Sequence, residues 1–295
     1  MTITDISIIF ISIILEAIPF FILGVLLSSL IQEFVSEDTL KRLIPKNPFL
    51  GSIVGILIGF FIPTCDCAVI PVAKRLIKKN VPLNVCISFM LASPIVNPVS
   101  ILSTIYAFRK VMPQMIFYRI GFGILAAFLA GILISFISKK RNIVINGDAD
   151  NNFCSCGGEY QNSDSHFWNI IWNSKEEFLG IMKYLIIGTL ITTIMQFIIN
   201  TTSLNLIVNN KIIQIIVMML FAYIISLCST ADAFVGRTFL NQVSNSSILA
   251  FLLLGPMIDL KNTLVLSDNF EKKFVMKLLA ILSIIILIVT SLVKI

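Results

Sequence analysis

Apolar runs separated by short polar stretches fill the first half of the chain. The runs at residues 6–31 and 113–138 are long enough to cross a bilayer as helices, which takes about 20 residues. The run at 50–62 is shorter than that, and the run at 81–107 is interrupted near its middle. This pattern predicts membrane helices of two kinds, complete and broken.

Prolines mark the two interruptions in this half. Pro63 and Pro71 each remove a backbone donor, so the helix that begins at residue 50 must break beside the Cys-Asp-Cys triplet at 65–67. In the segment 93–98 two prolines flank Asn97, whose amide offers both an acceptor and donors at a second break. Irregular backbone at membrane depth persists only where protein or a water-filled cavity satisfies it, so we expect both breaks to lie inside the protein.

The second half of the chain repeats this order of segments. Its complete spans are at residues 179–200 and 274–293. A short run at 212–227 ends beside Cys228, and an interrupted run lies at 248–266. A shift of 162 residues aligns Phe89 with Phe251, Pro94 with Pro256, Asn97 with Asp259 and Arg75 with Arg237, and Cys65 meets Cys228 with one extra residue. Interrupted segments at matching positions of two halves are typical of a transporter binding site.

The composition places the chain in a membrane. Hydrophobic residues make up 57% and charged residues 13%, and the mean hydropathy is +0.96, whereas a soluble domain is roughly half apolar and a quarter charged. We therefore predict an all-α polytopic membrane protein whose surroundings are the lipid bilayer. The net charge of +6 is no indication of a nucleic-acid partner, since Lys and Arg here are topology signals.

A polar connector divides the chain into two membrane repeats. We predict a first repeat at 1–138, a soluble connector rich in Asn, Asp, Ser and Gly at 139–178, and a second repeat at 179–295. The connector holds Cys154 and Cys156, and two thiolates can capture a soft metal ion. The alternative is an inert loop, because one C-x-C is only half of a four-ligand structural zinc site.

Lys and Arg residues indicate the orientation of the spans. If each half has four full spans with the amino terminus inside, they divide 11 inside to 10 outside, with Lys261 set apart because it lies within a span. If each half instead has three full spans and a re-entrant hairpin, with the amino terminus outside, the division becomes 15 to 6. Cytoplasmic loops collect Lys and Arg, so the count favours hairpins, and an odd number of crossings per half makes the repeats inverted.

The thiols beside the first break are candidate ligands. Cys65 and Cys67 flank Asp66, and the thiolate is the form that binds soft cations. A helix that begins near Ala68 would place its positive end there and favour the thiolate. The alternative is that both cysteines are small packing residues, as free cysteines often are.

Charged groups inside spans form a second set of candidates. A charge there costs roughly 3 kcal/mol on insertion scales, so Asp232 and Asp259 are candidate transport residues, together with Cys228. Lys261 can neutralise Asp259 if the unwound chain turns both side chains inward. Glu16, in the first span, either relays protons or lies near a helix end among lipid headgroups.

Four motifs resemble a known family. The segments 64–67 (TCDC, followed by Pro71), 92–98 (ASPIVNP), 228–234 (CSTADAF) and 255–259 (GPMID) are similar to those of the bacterial predicted-permease (YraQ-like) family, which includes the organoarsenical exporters. The resemblance implies a multi-pass permease of the bacterial cytoplasmic membrane with about eight membrane helices. Ala68 departs from the pattern, since many members have glycine there.

These observations together predict a transporter and not an enzyme. The expected function is a secondary transporter that exports a soft, thiol-reactive solute, either a trivalent organoarsenical or a metal ion, through Cys65, Asp66 and Cys67 and without a cofactor. The chain has no P-loop pattern, which argues against direct drive by ATP. The alternatives are a membrane thiol–disulfide oxidoreductase and a non-transporting scaffold. The sequence predicts no particular oligomeric state.

Overall fold

The helices of the two halves follow one another in the same order. The computed structural model describes residues 47–61, 66, 68–137, 210–240 and 242–293, with isolated positions within 11–22, 44–45 and 182–193. Its helices in the first half are α1 (Pro48–Phe61), α2 (Val69–Lys78), α3 (Leu83–Val96), α4 (Pro98–Phe108) and α5 (Gln114–Ile137). Those in the second half are α6 (Lys211–Ile225), α7 (Ala231–Thr238), α8 (Asn245–Met257), α9 (Leu260–Asn269) and α10 (Lys272–Leu292).

The predicted breaks are confirmed. α1 ends and α2 begins on either side of the Cys-Asp-Cys triplet, and α3 gives way to α4 at Asn97. In the second half α6 ends at Ser226, whose φ of 52° turns the chain out of the helix, and α8 gives way to α9 before Leu260. An all-α polytopic membrane fold is therefore present, whereas the count of eight membrane segments stays a prediction.

The interrupted helix pairs lie at the centre of the described structure. Within the described residues, four segments are long and apolar enough to cross a membrane: the α3–α4 pair, α5, the α8–α9 pair and α10. The apolar stretches of the two pairs are 78% and 83% buried, against 39% for α5 and 33% for α10. Both mid-span breaks therefore lie where protein surrounds them, as unwound backbone requires.

Helices α3 and α8 are surrounded by other helices on all sides, and neither has a distinct polar face. Every residue of α3 is buried, and α8 is buried from Ser246 to Met257. A helix that is apolar all round belongs in an interior, so the sequence pattern and the central position agree. α3 packs against α1, α2, α5 and α8, and Cys86 lies within this packing. The position of Cys86 fits a packing role.

Helix α1 approaches α3 through a row of glycines. Gly51, Gly55 and Gly59 recur at every fourth position and face α3. A Cβ atom at Gly55 would overlap the carbonyl oxygen of Val85, and one at Gly59 would lie 3.1 Å from the Cα atom of Ser93. Small residues at this spacing let membrane helices pack closely, because packing contacts replace the hydrophobic effect in lipid.

We expect Gly55→Ala to destabilise the protein. The added methyl group must push α1 away from α3, and overpacking of this kind costs about 1–3 kcal/mol. Gly121→Ala is the matched control, because a Cβ atom at Gly121 meets nothing within 4 Å. Thermal unfolding of the two detergent-solubilised variants makes the comparison. Equal melting temperatures would show that the α1–α3 contact is not tight.

The two halves contact each other crosswise. α4 packs against α7, and α9 packs against α2, so the fourth helix of each half touches the second helix of the other. The Lys74 ammonium group donates a hydrogen bond of 2.8 Å to Asn269 Oδ1 across the second of these contacts. The crossing brings the breaks of one half beside those of the other.

Candidate functional site

Asn97 and Asp259 occupy equivalent positions at the mid-span breaks. Asn97 Oδ1 accepts a hydrogen bond of 3.0 Å from the backbone N–H of Val99 and so caps α4. Asp259 Oδ1 accepts one of 2.5 Å from the N–H of Asn262 and caps α9. Each satisfies a donor that the break would leave unpaired inside the membrane. Both residues are therefore part of the helix architecture, and their role in transport stays a prediction.

A buried ion pair follows the second mid-span break. The Lys261 ammonium group lies 3.8 Å from Asp259 Oδ2, and both side chains are almost fully buried. This is the pairing that the sequence led us to expect if both side chains turned inward. Gly188 packs against the side-chain stem of Lys261, because a Cβ atom at Gly188 would lie 3.3 Å from Lys261 Cγ. The pair is thus enclosed by an element outside α9.

Asp66 brings a second carboxylate to the same lysine. It lies just before α2, is only 2% exposed, and Lys261 is the charged group that interacts with it most strongly. Asp259 also acts on it. Ser229 lies beside Asp66, but neither carboxylate oxygen accepts a well-formed hydrogen bond from any described residue. Lys261 therefore forms an ion pair with Asp259 and also interacts electrostatically with Asp66, a carboxylate from the other half of the chain.

Arg119 joins the halves at a point that the sequence analysis missed. It is 1% exposed and lies in the second turn of α5. Its guanidinium group donates two hydrogen bonds. One, of 2.8 Å, goes to Thr104 Oγ1 in α4, and the other, of 3.0 Å, goes to the carbonyl oxygen of Ser229 at the break between α6 and α7. The available signal was its isolation, since Arg119 is the single charged residue in a 24-residue apolar helix. Such a residue is costly in a membrane unless it is paired.

Asp232 is a second acid that interacts electrostatically with Arg119. It is in the first turn of α7, where the helix dipole favours a negative charge, and it is 1% exposed. Arg119 is the positive group that acts on it most strongly. Gly255 makes room for the carboxylate, because a Cβ atom there would lie 2.9 Å from Asp232 Oδ2. The carboxylate of Asp232 thus interacts with Arg119 and, less strongly, with Lys261.

Cys228 lies at the edge of these charges. It is half-buried, and its sulfur accepts a hydrogen bond of 3.5 Å from Thr230 Oγ1. It interacts electrostatically with Asp66 and Lys261. The second half of the chain therefore contributes a sulfur atom, a soft metal ligand, close to the buried charges.

Five charged side chains are buried among the described residues and form what we call the interior charge cluster: Asp66, Arg119, Asp232, Asp259 and Lys261. Three are acids and two are bases, so with all five ionised the described part of the site carries one uncompensated negative charge. Removing charges from water costs several kcal/mol per ion unless each is paired. A proton bound to one of the carboxyl groups, or a further cation, would balance this charge.

The remaining candidates cannot be placed. Glu16, Cys65, Cys67, Cys154 and Cys156 lie outside the described residues. Among the residues that are described, no three His, Cys, Asp or Glu side chains converge closely enough to hold a metal ion. A metal site built from the four cysteines therefore stays a prediction.

Comparison with known proteins gives consistent matches along the chain. A family model described as a predicted permease matches residues 2–295. UPF0718 protein YcgR of Bacillus subtilis is 38% identical over 286 residues, which cover 97% of this chain and 96% of the relative. A Streptococcus mutans protein named "Putative two-component membrane permease complex subunit" is 34% identical over 283 residues, covering 95% and 92%.

A third relative matches a shorter stretch of the chain. UPF0718 protein YraQ of Escherichia coli is 31% identical over 80 residues, which cover 27% of this chain and 23% of that protein. No solved structure matches the chain.

Proposed function

Since this chain belongs to the predicted-permease family, a family of multi-pass bacterial membrane proteins, we propose that it is a secondary transporter that exports a soft, thiol-reactive solute. The solute is a trivalent organoarsenical or a metal ion. One observation carries the proposal: the interior charge cluster draws on both halves of the chain at their helix breaks. Ionisable groups at membrane depth mark solute pathways, and discontinuous helices mark transporter binding sites.

The proposed solute site combines the charge cluster with the thiols beside it. Cys65 and Cys67 flank Asp66 in the sequence, so the first break delivers two soft donors next to a cluster acid. Cys228 supplies a third sulfur from the second half. In this proposal Asn97 and Asp259 hold the mid-span breaks open, and the carboxylates attract the solute before the thiols bind it.

We also propose that the two repeats, at 1–138 and 179–295, are inverted. Helices α1 and α6, of 14 and 15 residues, are short of the roughly 20 that a span requires, so each is assigned to a re-entrant hairpin. Three full spans per half then reverse the orientation of the second repeat. The crosswise contacts of α4 with α7 and of α2 with α9 support a two-fold relation between the halves.

The hairpin arrangement predicts that the end of α2 faces the cytoplasm. Lys78 is exposed there, so Lys78→Cys in a cysteine-light background should react with an impermeant maleimide only after the cells are permeabilised. Lys110→Cys is the matched control, because it is exposed between α4 and α5 and should react in intact cells. Labelling of Lys78→Cys without permeabilisation would refute the hairpin arrangement, whereas four full spans per half with the amino terminus inside differ from it at residues 41–46, which they place outside.

A resistance and accumulation panel tests the proposed function. Bacteria with and without the protein are loaded with a trivalent organoarsenical, Cd²⁺, Zn²⁺ or Cu⁺, and the solute retained per cell is measured. Cells with the protein should retain less of at least one of these solutes. Equal retention of every solute at matched protein levels would refute export of a soft solute.

A second subunit is part of the proposal. The printed name of the Streptococcus mutans relative describes a subunit of a two-component membrane permease complex, and that relative matches 95% of this chain. We propose that this protein also works together with a second subunit. Native gel electrophoresis should then show a larger complex in its own host than in a foreign host, and equal sizes would favour a permease that works without a second component.

A further inference from the structure

The carbonyl oxygen of Ser229 is held by two elements of the other half of the chain. Arg119 in α5 donates a hydrogen bond of 3.0 Å to it, and the hydroxyl group of Ser100 in α4 donates one of 3.4 Å. Thr104 links these two donors, because its hydroxyl oxygen accepts a bond of 2.8 Å from Arg119 and donates one of 2.7 Å to the carbonyl oxygen of Ser100. This ring of hydrogen bonds among Ser100, Thr104, Arg119 and Ser229, which we call the Ser229 contact, fastens the break between α6 and α7 to α4 and α5.

The Ser229 contact has a counterpart where α2 crosses α9. There the Lys74 ammonium group donates its hydrogen bond of 2.8 Å to Asn269 Oδ1. From their mid-span breaks α4 runs to the residues 109–113 and α9 runs to the residues 270–271. In the proposed inverted arrangement the first of these connections lies outside and the second in the cytoplasm. The two crosswise contacts then lie on opposite sides of the mid-span breaks, which is where a transporter needs its two gates.

The Ser229 contact is buried but incompletely paired. Arg119 Nε has no hydrogen-bond partner among the described residues, and neither has Oδ2 of Asp232, in the helix that follows Ser229. Both side chains are 1% exposed. A buried polar atom without a partner is costly, and water can hydrate it once the helices separate. Opening the contact therefore recovers part of the free energy that its broken hydrogen bonds lose, as a contact that opens in every transport cycle requires.

We propose that the Ser229 contact is the outer gate of the transporter and that Arg119 is the positioning residue that holds this gate closed. While it is closed, the break between α6 and α7 stays against α4 and α5, and the interior charge cluster communicates only with the cytoplasm. When it opens, the break leaves α4 and a solute at the cluster reaches the outside. The Lys74–Asn269 contact is the inner gate. This inference rests on the proposed function, to which it adds the location and the residues of the two gates.

The thiol of Cys228 reports on the outer gate, because Cys228 directly precedes Ser229 and is half-buried. In a parent protein that keeps Cys228 as its single cysteine, the rate of labelling by an impermeant maleimide is measured in intact cells. Thr104→Val removes the oxygen that accepts a hydrogen bond from Arg119, so it should label at least about tenfold faster than the parent, since a hydrogen bond to a charged group shifts an equilibrium by about that factor. Thr290→Val is the matched control and should label at the parent rate, because the buried Thr290 hydroxyl group donates only within α10.

Lys74→Met distinguishes a gate from a general loosening of the fold. It weakens the inner contact and favours the inward-open state, so Cys228 should label from outside at or below the parent rate, whereas a loosened fold would label faster. Equal rates for Thr104→Val and Thr290→Val would overturn the outer gate, and so would faster labelling of Lys74→Met.

A second variant covers the case in which Thr104→Val does not reach the membrane. Ser100→Ala removes the other donor to the Ser229 carbonyl oxygen and should raise the labelling rate about threefold. Labelling of Ser100→Ala at the parent rate would then overturn the proposal. No solute is added in these measurements, so they are read separately from the accumulation panel: equal retention of every solute there refutes export, whereas the labelling rates decide the gate.

Discussion

Asp259→Leu is expected to abolish transport while the protein still reaches the membrane. The substitution removes the oxygen that caps α9, the anionic partner of Lys261 and one of the three acids of the interior charge cluster. Loss of an N-cap costs about 1 kcal/mol, which the rest of the fold can absorb. The effect on Lys261 is larger, because its buried charge loses the carboxylate with which it forms an ion pair. Solute export from cells with matched membrane abundance measures the result.

Asp259→Asn separates the cap from the charge. Asparagine caps a helix as well as aspartate does, so this variant should keep the start of α9, lose stability only through the weakened ion pairing of Lys261, and still fail to transport. Asn97→Leu is the corresponding change at the first break, where a cap but no charge is removed, and it should also stop export by distorting the start of α4. Asn97→Asp keeps the cap and is the control for folding. Normal export by Asp259→Leu would mean that the solute does not pass this break.

Breaks and register could be predicted from the sequence because local chemistry dictates them. Pro94 and Pro256 each lie near the end of a helix that stops one or two residues later, and the shift that aligns them also aligns the starts of α3 and α8. The Asp259–Lys261 pair could be predicted as well, since its members are two positions apart in the chain. These features depend on neighbours in sequence.

Contacts between distant elements could not be predicted in this way. Arg119 belongs to a helix whose hydropathy marks a plain span, and nothing near it in sequence names Asp232 or Ser229 as partners. The glycine row of α1 was visible as a spacing, but only the packed structure shows that it faces Val85 and not lipid. The interior charge cluster as a whole therefore required the three-dimensional arrangement, because its members come from four separate parts of the chain.

Cys65→Ser/Cys67→Ser is expected to eliminate export of a soft solute. Oxygen is a poorer ligand than sulfur for soft ions, while the change in volume is too small to disturb packing. Cys65 and Cys67 flank Asp66 in the sequence, and Asp66 is buried within the charge cluster, so in the proposed site a solute attracted to that carboxylate then binds these thiols. The measurement is efflux of the solute identified in the accumulation panel, from cells with equal amounts of each variant.

Cys154→Ser/Cys156→Ser is the matched control, and it also distinguishes a transporter from a thiol–disulfide oxidoreductase. A transporter needs the connector thiols little, because a connector can concentrate an ion without forming its path, so efflux should fall only at low solute concentration. An oxidoreductase that passes electrons between the two pairs needs both equally, and mixed disulfides between them could be trapped. Full efflux by Cys65→Ser/Cys67→Ser would refute the thiol site, and export would then depend on the interior charge cluster and Asn97 alone.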